Sequence, residues 1–204
     1  MYDVAVIGCG IVGAAAAYEL SRYNCRVLVL EAKNDVANVT TKANSAILHA
    51  GYDPTPGTLM AETNVRGVAL AKELCEKLDV EREEIGSLVL AFGEEDERHL
   101  EKLYQQGIAN GVPGIELLTA DEVHALEPNV SDKVTAALYA PTSAIICPFG
   151  MTIALAENAA HNGAEFRFDT RVETIRRAGE GYVLETSRGP LETRAVISAA
   201  GVWG

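Results

Sequence analysis

Tyr2-Asp3-Val4-Ala5-Val6-Ile7-Gly8-Cys9-Gly10-Ile11-Val12-Gly13, then Ala14-Ala15-Ala16-Ala17, then Arg26-Val27-Leu28-Val29-Leu30-Glu31, is the stretch on which the fold turns. Residues 2–7 are a short, apolar, β-branched run, the pattern of a strand buried on both faces of a parallel sheet. The G-x-G-x-x-G follows directly and opens a helix near Ile11. Gly8 permits the tight turn, Gly10 admits a pyrophosphate to the backbone, and Gly13 lets the helix pack against the strand. The four alanines are strong helix formers that continue the close packing. Free N–H groups at Ile11, Val12 and Gly13 and the positive end of the helix dipole then face the phosphates. Glu31 ends the second strand about 20 residues past the glycines, where a carboxylate accepts ribose hydroxyls and repels a 2′-phosphate. A lone glycine motif is weak evidence. Strand, glycines, helix, strand and terminal acid in this order predict dinucleotide binding.

The rest of the composition narrows the class. A chain of 204 residues with 48% hydrophobic and 23% charged residues has the profile of a globular protein with a sizeable core. Its net charge of −12, from 17 Lys+Arg against 29 Asp+Glu, argues against a nucleic-acid or anionic-membrane surface. No apolar run reaches membrane-span length, and a strand begins at residue 2, so neither a transmembrane segment nor a signal peptide is expected. Cys9, Cys25, Cys75 and Cys147 show no C-x-x-C pairing and fall in segments expected to be buried. They read as reduced core thiols of a cytoplasmic protein, without a metal or redox role.

Residues 32–58 lose periodicity, and a long loop inside a compact domain is usually functional. Its Thr40 to Ser45 cluster carries hydroxyls and amides, 46–50 reads as a short strand or turn, and 53–57 as a rigid Pro/Gly turn. Helices are expected at 58–78, with Val65, Val68, Leu74, Cys75 and Leu78 on one face, and at 95–110, with Leu100, Leu103, Tyr104 and Ile108. Strands are expected at 87–92 and 134–139. Thr119-Ala120-Asp121-Glu122 is a capping box for a short helix ending before Pro128. Pro148 starts a helix running to 162, with Gly163 as its stop. Strands at 165–168, 172–176, 182–186 and 191–193, turning at 179–181 and Gly189-Pro190, lead over 194–204 to a buried strand that runs into a glycine turn. A nicotinamide domain would continue β-α-β without the central excursion. The interrupted order resembles flavoprotein architecture instead, in which the excursion forms a second, substrate-facing layer.

Four pieces carry a family resemblance: Gly8-Cys9-Gly10-Ile11-Val12-Gly13 with Glu31, residues 41–52 (TKANSAILHAGY), residues 54–59 (PTPGTL) and residues 199–203 (AAGVW). Together they resemble the FAD-dependent oxidoreductases of the D-amino-acid-oxidase superfamily, on the branch that holds glycerol-3-phosphate dehydrogenases and L-2-hydroxyglutarate oxidases. The resemblance implies an α/β fold: an FAD-binding, Rossmann-like domain of glutathione-reductase type with an inserted α+β substrate-domain portion. The expected boundaries are 1–80 and 148–204 for the discontinuous FAD-binding domain and 81–147 for the excursion. FAD would lie with its pyrophosphate over Gly8, Gly10 and Gly13 and its ribose on Glu31. Ala32 and Lys33 would line the adenosine side, and Thr41, Asn44 and Ser45 the pyrophosphate and flavin ring. Val172 would meet the adenine through its backbone, and Ala200 and Gly201 would make a second backbone approach.

His49 is the catalytic candidate that the resemblance implies, since an imidazole beside the flavin can take a hydroxyl proton as hydride leaves. The plainer alternative is that His49 only bonds the loop backbone. Tyr52 is either a flavin neighbour or a packing aromatic, and His99, His124 and His161 belong to exposed helix faces. The expected activity is oxidation of a small 2-hydroxy compound, glycerol 3-phosphate ahead of L-2-hydroxyglutarate. Quinone, oxygen or a partner protein remain open as electron acceptor. An amine or amino-acid oxidase fits residues 44–52 less well, and a non-catalytic dinucleotide-binding module leaves 41–52 without a use. Family members run to about twice this length, so the chain is expected to be an N-terminal fragment, catalytically poor by itself. Its expected location is cytoplasmic or peripheral at the inner membrane face.

Overall fold

Local sequence signals set the elements, and the computed structural model describes all residues from 1 to 204. In chain order they are β1 (Tyr2–Ile7), α1 (Ile11–Leu20), β2 (Val27–Leu30), β3 (Ile47–Leu48), α2 (Leu59–Leu78), β4 (Arg82–Glu83), β5 (Ser87–Ala91) and α3 (Glu94–Asn110). There follow β6 (Glu116–Thr119), α4 (Ala120–Leu126), β7 (Ala136–Ala140), β8 (Ala144–Ile146), α5 (Pro148–His161), β9 (Glu165–Arg167), β10 (Val172–Ala178), β11 (Gly181–Thr186) and β12 (Gly189–Ser198). Short 3-10 turns lie at Thr40–Lys42 and Gly201–Trp203.

The chain divides into two compact units, Met1–Ser45 with Cys147–Gly204, and Ala46–Ile146. In the first, a six-stranded sheet runs in the order β10-β11-β12-β1-β2-β9. β12, β1, β2 and β9 are parallel, while β10, β11 and the start of β12 form an antiparallel meander. All four residues of β2 are buried, which requires cover on both faces. One cover is the meander: Leu184, Leu191 and Val172 pack with Ala5, Leu28, Leu30 and Val196. Alternation turns Val27 and Val29 to the opposite face. On that side α1 contacts β1 and β2 and lies along α5. The buried residues of α1 are Gly13, Ala14 and Ala17, small enough to bring the helix backbone close.

In the second unit, β3-β8-β4 and β5-β7-β6 are separate antiparallel sheets. Leu100 and Leu103 of α3 pack with Ala91, Leu138, Ile115 and Val112. Thr58 caps α2, which ends at Asp79 in left-handed conformation (φ 54°). Thr119 and Glu122 close the capping box on α4.

The unit boundary differs from the one expected at 80/81. β3 pairs with β8, and α2 contacts α3, so residues 46–80 pack with the excursion and not with the parallel sheet. β4 and β8, two and three residues long, are too short to show alternation, and β6 is hidden by the capping box that follows it. The expected break between 191–193 and 194–204 is absent: β12 is one strand that pairs with β11 through residues 189–193 and with β1 from Thr193 onward. Pro190 accordingly sits inside β12, opposite Glu185. Ile108, expected on the inner face of α3, is 52% exposed, and Gly107 takes the buried place. His124 is half-buried, whereas His99 and His161 are exposed as expected. Cys147 is exposed and caps α5, its Sγ accepting the Gly150 N–H, which corrects its reading as a core thiol. Cys25 is half-buried, and Cys9 and Cys75 are buried.

Candidate functional site

The turn between β1 and α1 is built so that side chains have no room. Gly8 has φ +96°, and a Cβ on it would lie 2.5 Å from the carbonyl oxygen of Ala199. A Cβ on Gly13 would lie 1.9 Å from the carbonyl oxygen of Gly8. The turn is pinned at both sides, since Gly8 N–H donates to the Leu30 carbonyl (2.8 Å) and Ala199 N–H to the Ile7 carbonyl (2.8 Å). Gly10 faces Thr41, whose Oγ1 lies 2.9 Å from where a Cβ would stand. That hydroxyl accepts the Ile11 N–H at 3.0 Å. The N–H groups of Val12 and Gly13 have no intrahelical acceptor. The N-cap residue, Gly10, has no side chain to cap these two groups and no acid stands in the first turn, an arrangement in which the positive end of the helix suits an anion.

Glu31 lies beside this turn. Its Oε2 accepts the Cys9 N–H at 2.7 Å and its Oε1 the Lys33 N–H at 2.8 Å. Two backbone donors thus fix the carboxylate, which retains further lone pairs for hydroxyl donors. The main chain of 31–33 is held in turn by Thr170 N–H on the Glu31 carbonyl and Asp169 N–H on the Lys33 carbonyl, both 2.8 Å. Ala32 and Lys33 are exposed. Thr41 is buried, and its carbonyl accepts the Asn44 side-chain amide. Asn44 and Ser45 are exposed. Ala200 and Gly201 follow β12, with Thr40 Oγ1 3.8 Å from the Cβ position of Gly201. Val172 packs in the cluster that contains Leu30, the residue before Glu31.

The first unit therefore brings together Gly8, Gly10, Ile11, Val12, Gly13, Glu31, Thr41, Ala200 and Gly201. Ala199, which the sequence presents only as part of the 199–203 stretch and not as a site residue, supplies the carbonyl that forms the wall opposite Gly8. His49 belongs to the second unit, just after β3, and is exposed. It borders a cavity of about 240 Å³ with Ile47, Leu48, Thr63, Asn64, Gly67 and Val68. Of its α2 residues, Val68 lies on the apolar face expected from the sequence, whereas Thr63, Asn64 and Gly67 lie off that stripe and carried no sequence signal.

Residues 3–204 match the family described as FAD dependent oxidoreductase (DAO). The chain belongs to the FAD-dependent oxidoreductase family. Among similar proteins of that kind, a glycerol 3-phosphate dehydrogenase from Caloramator mitchellensis is 47% identical over all of this chain and 42% of its own length. A glycerol 3-phosphate oxidase from Mycoplasma pneumoniae is 34% identical over 98% of this chain and 54% of its own. An L-2-hydroxyglutarate dehydrogenase from Escherichia coli is 29% identical over 99% of this chain and 48% of its own. The dithionite-reduced L-alpha-glycerophosphate oxidase of M. pneumoniae with FAD bound superposes with a TM-score of 0.91 at 33% identity, covering 96% of this chain and 53% of that one. A glycine oxidase from Geobacillus kaustophilus also reaches 0.91, at 30% identity, covering 99% and 56%. The chain spans about half the length of the curated relatives it matches. No helix is long and apolar enough to cross a membrane.

The residues of this family member fit the dinucleotide its family name specifies. Gly8, Gly10 and Gly13 let the turn pack tightly against Ala199 and Thr41 at the N-terminus of α1, and a fixed acid ends β2 beside it. Cys9 is buried in this turn. Burial, with Glu31 and then Asp35 adding negative charge, pushes its thiol up to about 12. Stability linked to Cys9 is therefore full below the ordinary thiol range and declines as pH rises toward about 12, because the unfolded chain ionises first. In the folded protein near neutral pH, iodoacetamide should modify exposed Cys147 and spare Cys9 and Cys75, as peptide mass mapping would register.

Proposed function

We propose that this protein binds FAD through its first unit and that the enzyme it belongs to oxidises the secondary hydroxyl of a small 2-hydroxy compound, glycerol 3-phosphate foremost. The observation that carries this reading is the closed backbone cradle of Gly8, Gly10, Gly13 and Ala199, with Glu31 fixed beside it. The choice of substrate rests on the two relatives named for glycerol 3-phosphate, at 47% and 34% identity. L-2-hydroxyglutarate is the second reading, supported by the relative at 29%.

When bound, FAD supplies the two-electron acceptor for the alcohol. In this reading the N–H groups of Val12 and Gly13 bind its pyrophosphate, and the hydroxyl of Thr41 holds Ile11 N–H in line with them. Glu31 accepts the ribose hydroxyls. Ala32 and Lys33 border the adenosine, Val172 meets the adenine through its backbone, and Asn44, Ser45, Ala200 and Gly201 border the remainder. An imidazole nitrogen of His49 accepts the proton of the substrate hydroxyl. Steady-state assays of the full-length protein with an artificial acceptor test the substrate. The expected result is a kcat/KM for glycerol 3-phosphate at least tenfold above that for L-2-hydroxyglutarate or glycine. The reverse order would transfer the protein to the second reading or to the amine oxidases.

A further inference from the structure

Residues 51–54, immediately after His49, lie outside regular structure, so their carbonyls have no strand or helix ladder to enter. Two side-chain amides of α3 take all four. Asn110 Nδ2 donates to the Gly51 carbonyl at 2.9 Å and to the Pro54 carbonyl at 2.8 Å. Gln106 Nε2 donates to the Asp53 carbonyl at 3.1 Å and, at a longer 3.4 Å, to that of Tyr52. The two amides stand one helical turn apart and so share a face. Gly107 lies between them, and a Cβ there would come within 3.2 Å of Tyr52 Cβ and 2.4 Å of Ile115 Cδ1. Its missing side chain is what lets the helix meet the segment. Asn110 is oriented by its two acceptors, and its own Oδ1 is buried without a partner. An amide that leaves its oxygen unsatisfied is placed for its donors.

We propose that Gln106 and Asn110 are positioning residues that clamp the backbone of 51–54 and thereby fix where the His49 imidazole stands. The inference rests on the reading of His49 as proton acceptor. Position passes along a short, stiff path. Ala50, between His49 and the clamp, is 1% exposed and packed in the cluster of Leu100, Leu103 and Ile115. Gly51 has φ +108°, and Val65 Cγ2 lies 2.6 Å from its Cβ position. Removing the Asn110 amide releases two of the four gripped carbonyls, those of Gly51 and Pro54.

The test uses the full-length, FAD-loaded enzyme with whichever of glycerol 3-phosphate and L-2-hydroxyglutarate it turns over, comparing wild type, Asn110→Ala, Gln106→Leu and His49→Asn. Rates are expressed per bound flavin, so that loss of folded protein does not register as loss of rate. Asn110→Ala should lower kcat about tenfold or more, the scale of a misplaced catalytic group, with KM within threefold of wild type. It should also move the limb of the kcat pH profile that His49→Asn removes. Gln106→Leu should do the same to a smaller degree and carries the test if Asn110→Ala does not accumulate folded. An inactive His49→Asn beside an unchanged kcat and pH limb in the clamp variants would overturn the clamp alone. A His49→Asn enzyme with wild-type kcat would overturn the proton-acceptor reading and the clamp with it.

Discussion

Gly13→Ala is expected to lose both stability and flavin. The new methyl carbon would stand 1.9 Å from the Gly8 carbonyl oxygen, far inside any tolerated contact. Neither partner can yield cheaply. Gly8 is tied to β2 through the Leu30 carbonyl, and the neighbouring Ala199 to β1 through the Ile7 carbonyl. Ala14 and Ala17 hold α1 against its packing partners with no exposed surface to relax into. Relief requires α1 to back away from the sheet, at a cost of about 3 kcal/mol or more, at or beyond the upper end for overpacking. The same movement withdraws the Val12 and Gly13 N–H groups from the anion position. Urea unfolding should show a midpoint well below wild type, and the purified variant should carry little flavin. Gly67→Ala provides the contrast. Gly67 is helical, with nothing within 4 Å of its Cβ position, so the change should raise stability by about 0.5–1 kcal/mol.

His49→Asn in the full-length enzyme should reduce kcat by about 10²–10⁴-fold, the range for removing a general base. The residues proposed to bind the cofactor do not include His49, so the visible flavin spectrum should stay that of the wild type. KM should change little, because the lost interaction belongs to the transition state. A variant that keeps its kcat while losing substrate affinity would make His49 a binding residue. Rapid-mixing flavin reduction separates the two results.

How much was readable in advance depends on how local each signal is. The β1-α1-β2 unit, the capping box at Thr119 and the helix start at Pro148 are written in adjacent residues and folded as read. The membership of 46–80 was not, because it depends on β3 meeting β8 nearly a hundred residues later, through two residue pairs with no periodic trace. Gly107 escaped for a similar reason: in sequence it breaks the apolar stripe of α3, and only Ile115 and Tyr52 explain why nothing larger fits. At the candidate site, the glycine spacing pointed to Gly8, Gly10 and Gly13, but the clash that requires Gly8 comes from Ala199 at the far end of the chain. The Gln106 and Asn110 contacts also reach far in sequence, 53 and 59 positions from Asp53 and Gly51. On the surface of α3, an amide that grips a loop reads like any solvated polar residue.

The central claim is that the glycine turn, Glu31 and the Ala199–Gly201 approach form a cradle for FAD. Its most direct test is a titration of the purified chain, freed of cofactor, with FAD, followed by removal of excess and an absorption spectrum, with NAD in parallel. The account predicts a retained flavin spectrum at close to one FAD per chain, no comparable retention of NAD, and loss of the flavin in Gly13→Ala. A chain that is folded by circular dichroism, retains no FAD and instead binds NADH by fluorescence would contradict it.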